Sequence, residues 1–340
     1  MNSGTGLSLN AEAPYRTRTV KNAEKLTILL VNWRSKDYLR RCLQTVHATC
    51  GELTPQIVVV DGGSFDGCGE MLASEFPEVE FVQSPANIGF GRCNNLGFER
   101  ARGDLLLLLN PDTELRPESV QRLVTELERR PDAGIVAPRL LNTDGSLQVH
   151  CVRALPTPLN RALDSDLLRR LLPNSRLWGV GEAFRASAPV VVEAVSGACM
   201  LLRSEVFRRV GGFSPEFFMY GEDMDLCAKV GRLGLKVVHA PDAVVVHHGG
   251  GSSQGQVSQF STEKMREAWE TYFRLNHGAI TVGCYRLLQG LSAATRLMLL
   301  CPAATLGGIQ PRQTARQSMR KWWHVVRWSF RRGGKSNRPI

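Results

Sequence analysis

Over its first 130 residues the chain alternates short, fully apolar runs with amphipathic stretches. Residues 26–31 (LTILLV) have strand length, and residues 37–48 then carry Tyr38, Leu39, Cys42, Leu43 and Val46 at helical spacing. Residues 56–61 (QIVVVD), rich in β-branched side chains, predict a second strand, 66–76 a second helix and 79–82 a third strand. Residues 91–102 read as helix and the leucine run at 104–110 as a buried strand. Residues 117–130 read as a helix with Pro117 near its start. Strands that are apolar throughout, rather than alternating, are covered on both faces. The expected fold class is therefore α/β, a doubly wound, mostly parallel sheet with helices on both sides.

The periodicity weakens from residue 134 to about 192. Asn142-Thr143-Asp144-Gly145 is a turn and Pro156, Pro158 and Pro173 interrupt the rest, which predicts loops and short helices beside the sheet. Regular pattern returns at 190–202, followed by a helix-like 204–210 that Gly211-Gly212 stops. Residues 224–234 read as helix, 235–239 as a late strand, and everything past 262 as helices.

Composition narrows this picture. A chain of 340 residues with 43% hydrophobic content is neither disordered nor fibrous, and can bury one large core with an appendage. The nine cysteines stand singly, with no C-x-x-C pair, which argues against a zinc ribbon or thioredoxin-type site and for reduced thiols in the cytoplasm. Residues 1–22 lack the apolar core of a signal peptide. The most apolar long stretch, 279–309, is broken by Arg286 and Arg296 and is not a spanning helix. The net charge of +10 is unevenly spread: residues 271–340 hold 12 Lys and Arg and no acid, whereas residues 1–270 hold 30 Lys and Arg against 32 acids. A near-neutral body thus carries a strongly basic tail.

Ligands of open α/β sheets bind beyond the carboxyl ends of the strands. Three strands end on polar residues there: Val31-Asn32-Trp33, Val60-Asp61-Gly62 and Leu109-Asn110-Pro111-Asp112. Any one of them could simply open a turn. Three together, with Gly62-Gly63 allowing close backbone approach, favour a ligand edge. After five leucines, Asp112 can offer a carboxylate to a hard cation whose other positions go to water and a diphosphate; an N-cap for the next helix is the plainer reading. Glu222, Asp223 and Asp225 follow Phe217-Phe218-Met219-Tyr220, a setting that suits a semi-buried pocket better than a surface helix start. His247-His248 opens a glycine-rich loop and makes a metal ligand credible beside Asp112. The G-x-G at 89–91 lacks a third glycine at dinucleotide spacing and follows the third strand, which disfavours a dehydrogenase. No G-x-S-x-G elbow surrounds Ser64 or Ser252, which disfavours an α/β-hydrolase.

Taken in order, VNW at 31–33, IVVVDGGSFDG at 57–67, NIGFGRCNN at 87–95, LLNPDT at 108–113, SGACMLLR at 196–203, VGGF at 210–213, FMYGEDMDL at 218–226 and HHGGGS at 247–252 resemble the family 2 inverting glycosyltransferases of GT-A fold, and most the bacterial rhamnosyltransferase-type branch. The resemblance covers roughly residues 25–280. It implies a nucleotide-sugar donor held by Asn32, Trp33, Asp61, Asn87, Gly89, Arg92, Asn95 and Asn110, with Asp61 at the base or ribose. It implies a divalent metal, Mg²⁺ or Mn²⁺, at Asp112 and His247. Asp223 matches the general base, with Glu222 and Asp225 supporting it. The chain departs from the family pattern at Asn110, where many members have Asp, at Trp33-Arg34, at Phe65 and at Lys229.

The organisation expected is a flexible lead-in at 1–24, a catalytic domain at 25–262 and a basic helical region at 263–340. Within the catalytic domain, 25–135 forms the nucleotide-sugar half and 136–262 the acceptor half. The acceptor implied is lipid-linked or a growing glycan in cell-envelope assembly. In the tail, Met319, Trp323, Val326 and Phe330 share a helical arc flanked by Arg316, Arg320, Arg327 and Arg331, which predicts peripheral contact with an anionic membrane on its cytoplasmic face. Packing on the catalytic domain is the alternative, and nucleic acid is not an expected partner. Two other functions compete. A non-catalytic sugar-nucleotide scaffold is disfavoured by the presence of Asp112, Asp223 and His247 together. A nucleotidyltransferase is disfavoured because the first strand runs into Asn32-Trp33 rather than a basic glycine-rich loop.

Overall fold

The computed structural model describes residues 25–50, 53–165, 185–249, 259–306 and 309–330, with 168, 171, 172, 175–178 and 181 between them. The lead-in at 1–24 and the glycine-rich segment at 250–258 lie outside the described residues. Four parallel strands, β1 (Leu26–Asn32), β2 (Gln56–Asp61), β3 (Glu80–Gln83) and β4 (Leu105–Leu109), lie side by side in the order β3-β2-β1-β4. Every residue of β1, β2 and β4 is buried, which is why these runs do not alternate. Between them run α1 (Lys36–Cys50), α2 (Cys68–Glu75) and α3 (Phe90–Phe98).

Beyond β4 the sheet becomes mixed. It continues through β10 (Cys199–Arg203), β6 (Ala133–Leu141), β11 (Lys236–His247) and β5 (Thr113–Leu115), with β8 (Val190–Val192) also pairing with β11. Strand β10 is antiparallel to both neighbours, and β6 and β11 are parallel. A separate antiparallel pair joins β7 (Val152–Arg153) to β9 (Ala194–Val195).

The core splits into two layers. On one face lie α1, α2 and α4 (Ser119–Arg129), through Leu39, Leu43, Leu72 and Leu123. On the other lie α3, α6 (Ser204–Arg209), α7 (Glu222–Arg232) and α8 (Gln259–His277), through Phe207, Phe213, Met224 and Phe273. Helix α5 (Pro158–Ala162), held by a Thr157 capping box, receives α9 (Ala279–Leu306), whose Gln289 and Ser292 donate to the Arg161 and Ala162 carbonyls. Helix α10 (Ile309–Phe330) folds back on α9, with Trp328 against Tyr285 at 5.9 Å between ring centroids and Trp322 under Arg296 at 4.3 Å.

The sequence reading goes astray at 134–192. That stretch supplies β6, a nine-residue strand inside the sheet, instead of only loops and short helices. Gly134 and Pro138 break the pattern of β6, but Pro138 lies beyond the two residues, Ile135 and Val136, that pair with β10, so its missing N–H removes no bond to that strand. Likewise the apolar runs at 235–239 and 243–246 are one strand, β11, which passes Pro241 through a register shift between Ala240 and Val244.

Candidate active site

The carboxyl ends of β1 and β4 and the start of α7 open on one cavity of about 340 Å³. Trp33, Asn87, Gly89, Asn110, Asp112, Glu222, Asp223 and His247 line it, together with Gly197, Ala198, Phe218 and Tyr220. The turns around it are strained. Arg34 (φ 53°), Phe65 (φ 50°) and Tyr220 (φ 70°) all hold left-handed backbone that non-glycine residues rarely adopt. Gly89 has φ 90°, and a Cβ there would come within 2.3 Å of the Phe218 carbonyl oxygen, so only glycine lets α3 start against the segment that leads into α7.

One group of polar residues sits behind this cavity. Asp61 is fully buried, and its carboxylate accepts from Asn32 Nδ2 (2.9 Å), Ser64 Oγ (2.5 Å), Gln83 Nε2 (2.7 Å) and the backbone N–H groups of Ser64 and Phe65 (2.9 and 3.1 Å). Burial alone would raise its pKa; the bonds from Ser64, Gln83, Phe65 and Asn32 outweigh that and hold it below the ordinary value. Asn32 is equally buried and ties β1 to both Asp61 and Asp66. Both residues, expected at the donor, brace the strand ends in this structure. The Asp61, Asp66 and Cys68 donor atoms lie within 4.8 Å of one another, yet Asn32 and backbone N–H groups occupy the carboxylates and burial pushes the Cys68 thiol up. That cluster does not suit a cation.

Asp112 and His247 do meet. The register of β5 against β11 sets His247 opposite Thr113, and the His248 N–H donates to the Asp112 carbonyl (2.9 Å). His247 Nε2 lies 3.3 Å from Asp112 Oδ1, two donor atoms close enough to serve one cation. Nearby, Asn110 lines the same cavity, and its buried Oδ1 has no hydrogen-bond partner among the described residues. The donor set of carboxylate, imidazole and amide oxygen is one that a divalent cation can take.

Across the acids of α7 the roles divide. Asp223 lines the cavity and its carboxylate accepts from Gly197 N (3.2 Å) and Met224 N (2.8 Å). A Cβ at Gly197 would sit 3.2 Å from the Asp223 Cβ, so the glycine keeps that approach open. Glu222 Oε2 is covered and has no hydrogen-bond partner among the described residues, and burial, then the charge of Asp223, push its pKa up to about 8. Asp225 turns away from the cavity. It is buried and bonds Ser214 Oγ (2.6 Å) and Asn276 Nδ2 (2.8 Å), with Lys229 Nζ at 3.6 Å, so it anchors α7 to the 212–214 turn and to α8 instead of supporting a base.

Two further residues expected at the donor bond neighbouring backbone. Arg92 donates to the Pro215 carbonyl (2.8 Å), and Asn95 clasps both backbone atoms of Phe213 (2.8 and 2.9 Å). Ser64, Gln83 and Gln148, which bond Asp61 or His247, were not singled out from sequence. Ser64 stood inside a recognised motif and could have been found; Gln83 and Gln148 carried no such signal.

Comparison with known proteins agrees with this geometry. Residues 27–211 match Glycosyl transferase family 2, and residues 186–248 match the N-terminal domain of galactosyltransferase. The N-acetylglucosaminyl-diphospho-decaprenol L-rhamnosyltransferase of Mycobacterium tuberculosis is 27% identical over 247 residues, 66% of this chain and 76% of that protein. Rhamnosyltransferase WbbL of Escherichia coli K12 is 23% identical over 231 residues, 65% of this chain and 82% of that protein. Among solved structures, mannosyltransferase PcManGT of Pyrobaculum calidifontis, in complex with GDP-Man and Mn²⁺, superposes with a TM-score of 0.56 at 15% identity, over 89% of this chain and 85% of that one. GalNAc-T7 with UDP, GalNAc and Mn²⁺ gives 0.55 at 15% identity, over 91% and 57%. The sheet is therefore of the GT-A type, and with more than half of its length matching the family, the chain belongs to glycosyl transferase family 2.

Proposed function

We propose that the chain is an inverting, metal-dependent glycosyltransferase that moves a hexose of the rhamnose type from a nucleotide-sugar to a lipid-linked or polysaccharide acceptor of the cell envelope. One observation carries the reading: Asp223 and the Asp112–His247 pair line the same cavity. The rhamnosyltransferase relatives support the sugar and acceptor class.

Trp33, Asn87 and the Gly89 backbone line the side of the cavity where a nucleoside would lie. Asp112 and His247, with Asn110, would hold the cation, which when bound supplies positive charge against the leaving diphosphate. Asp223 then takes the proton of the acceptor hydroxyl as that oxygen bonds to the anomeric carbon. The carbon–oxygen bond to the diphosphate breaks with its electron pair, inverting the centre. Two backbone N–H groups fix the Asp223 carboxylate, and a neutral Glu222 beside it avoids a second buried negative charge.

Asp223→Asn tests this. Turnover should fall by about 10²–10⁴-fold, while a nucleotide-sugar with Mn²⁺ raises the melting temperature as in the wild type. Near-wild-type turnover in the variant would remove Asp223 from the base position.

The site of action would be the inner face of the membrane, with the enzyme held peripherally. No helix among the described residues is long and apolar enough to cross a membrane. Support comes from the α9–α10 pair, which leaves Trp323, Phe330, Leu287 and Leu291 exposed on two helices that carry no acidic residue.

A further inference from the structure

His247 has two ring nitrogens, and only a bare one can hold a cation. Which one is bare follows from Gln148, a residue 99 positions away in the chain. The Gln148 amide nitrogen lies 3.2 Å from the His247 carbonyl oxygen, which can only accept, and 3.1 Å from Asn142 Oδ1. Asn142 itself is fixed, since its Nδ2 donates to Ser146 Oγ (2.9 Å) and the Leu147 carbonyl (3.5 Å). With both amide hydrogens committed, the Gln148 oxygen must be the atom 2.8 Å from His247 Nδ1. An amide oxygen cannot donate, so Nδ1 carries the hydrogen. When the ring is neutral its lone pair is then on Nε2, the nitrogen 3.3 Å from Asp112 Oδ1.

From this geometry we infer that Gln148 is a positioning residue for the metal site, fixing the Nε2-bare tautomer of His247 and aiming it at the cation held by Asp112. The same side chain ties the 142–148 turn to the end of β11 through the His247 carbonyl, while the Gln148 backbone N–H donates to the Leu140 carbonyl of β6 (2.9 Å). Ring orientation is thus set by the turn that follows β6 together with the end of β11. The inference rests on the proposed metal role of Asp112 and His247, and its test separates the two.

The test uses three proteins: wild type, Gln148→Leu and Gln148→Glu. Leucine removes the acceptor facing Nδ1. Glutamate keeps that acceptor but loses both amide hydrogens, so it rescues tautomer control and not the tie to the turn. Imidazole ¹⁵N shifts of His247, read without metal, should report the Nδ1–H tautomer in wild type and Gln148→Glu, and a mixture in Gln148→Leu. Free Mn²⁺, followed by its electron paramagnetic resonance signal with inorganic pyrophosphate present, should bind about 10–100-fold more weakly to Gln148→Leu and near normally to Gln148→Glu. If Gln148→Glu loses Mn²⁺ as much as Gln148→Leu, the residue only braces the turn and the inference falls. An unchanged ¹⁵N pattern in Gln148→Leu overturns it as well. Wild type that binds no Mn²⁺ would overturn the metal reading, while the ¹⁵N result still decides the role of Gln148.

Discussion

Glu222 couples the site to stability in a way that can be read with pH. Its folded pKa of about 8 stands above the ordinary 4.5, because burial comes first and the neighbouring Asp223 charge second. Between those values the unfolded chain has released this proton and the folded one still holds it. Unfolding then releases a proton, and stability falls as pH rises from about 4.5 to 8, by at most ~1.4 kcal/mol per pH unit. Glu222→Gln keeps a neutral polar group of the same size there, so urea midpoints of the variant should decline less over that window and exceed wild type near pH 8. Parallel declines would mean that Glu222 ionises normally. At this scale the motifs picked out Asp112, Asp223 and His247, which the fold brings to one cavity. The sequence did not show that Asp61, Asn32 and Asp225 also brace the fold, because a motif names a residue without naming the partners its polar atoms find. Gln148 was invisible because its partner is brought to it only by the pairing of β6 with β11.

Among the elements, β11 links most of the second half of the sheet. It pairs with β6, β5 and β8, and its end delivers His247. At its centre His239 is fully buried, opposite Ala137 of β6 and Val190 of β8. Burial first, then the Arg139 charge, push its pKa down to about 4 from 6.5. The unfolded chain gains this proton near pH 6.5 and the folded one does not until about 4, so stability drops as pH falls through that window. His239→Phe should flatten the loss by about one proton's worth, ~1.4 kcal/mol per pH unit, in denaturation midpoints measured from pH 7 to 4. An equal loss in both proteins would sink that assignment. Strands β1, β2 and β4 were legible because parallel strands buried on both faces are written as nearly unbroken apolar runs. Strands β6 and β11 were not, since Pro138 and Pro241 break a pattern that the sheet tolerates at the end of a short pairing and at a register shift.

For the whole molecule, the open question of the basic tail becomes one of faces. Trp322 and Trp328 are spent on packing against α9, through Arg296 and Tyr285. Trp323 and Phe330 are 55% and 78% exposed, on a face that also exposes Arg316, Arg320 and Arg327. On α9, Ile280, Leu287, Leu291 and Met298 are exposed at spacings of seven, four and seven, which is one stripe of a helix. Helix-to-helix packing therefore accounts for two of the tail's three tryptophans and leaves cationic and aromatic side chains outward together. A second copy of the chain is a poor occupant for that face, since two surfaces without acids repel each other; an anionic bilayer attracts both. Each basic residue near such a surface contributes about 1 kcal/mol, so replacing Arg316, Arg320 and Arg327 with glutamine should weaken co-sedimentation with phosphatidylglycerol vesicles by about two orders of magnitude. Trp323→Ala should weaken it further, with turnover on a soluble acceptor unchanged. Binding that ignores the anionic lipid fraction, or that is replaced by concentration-dependent self-association, would show that these helices meet protein and not membrane.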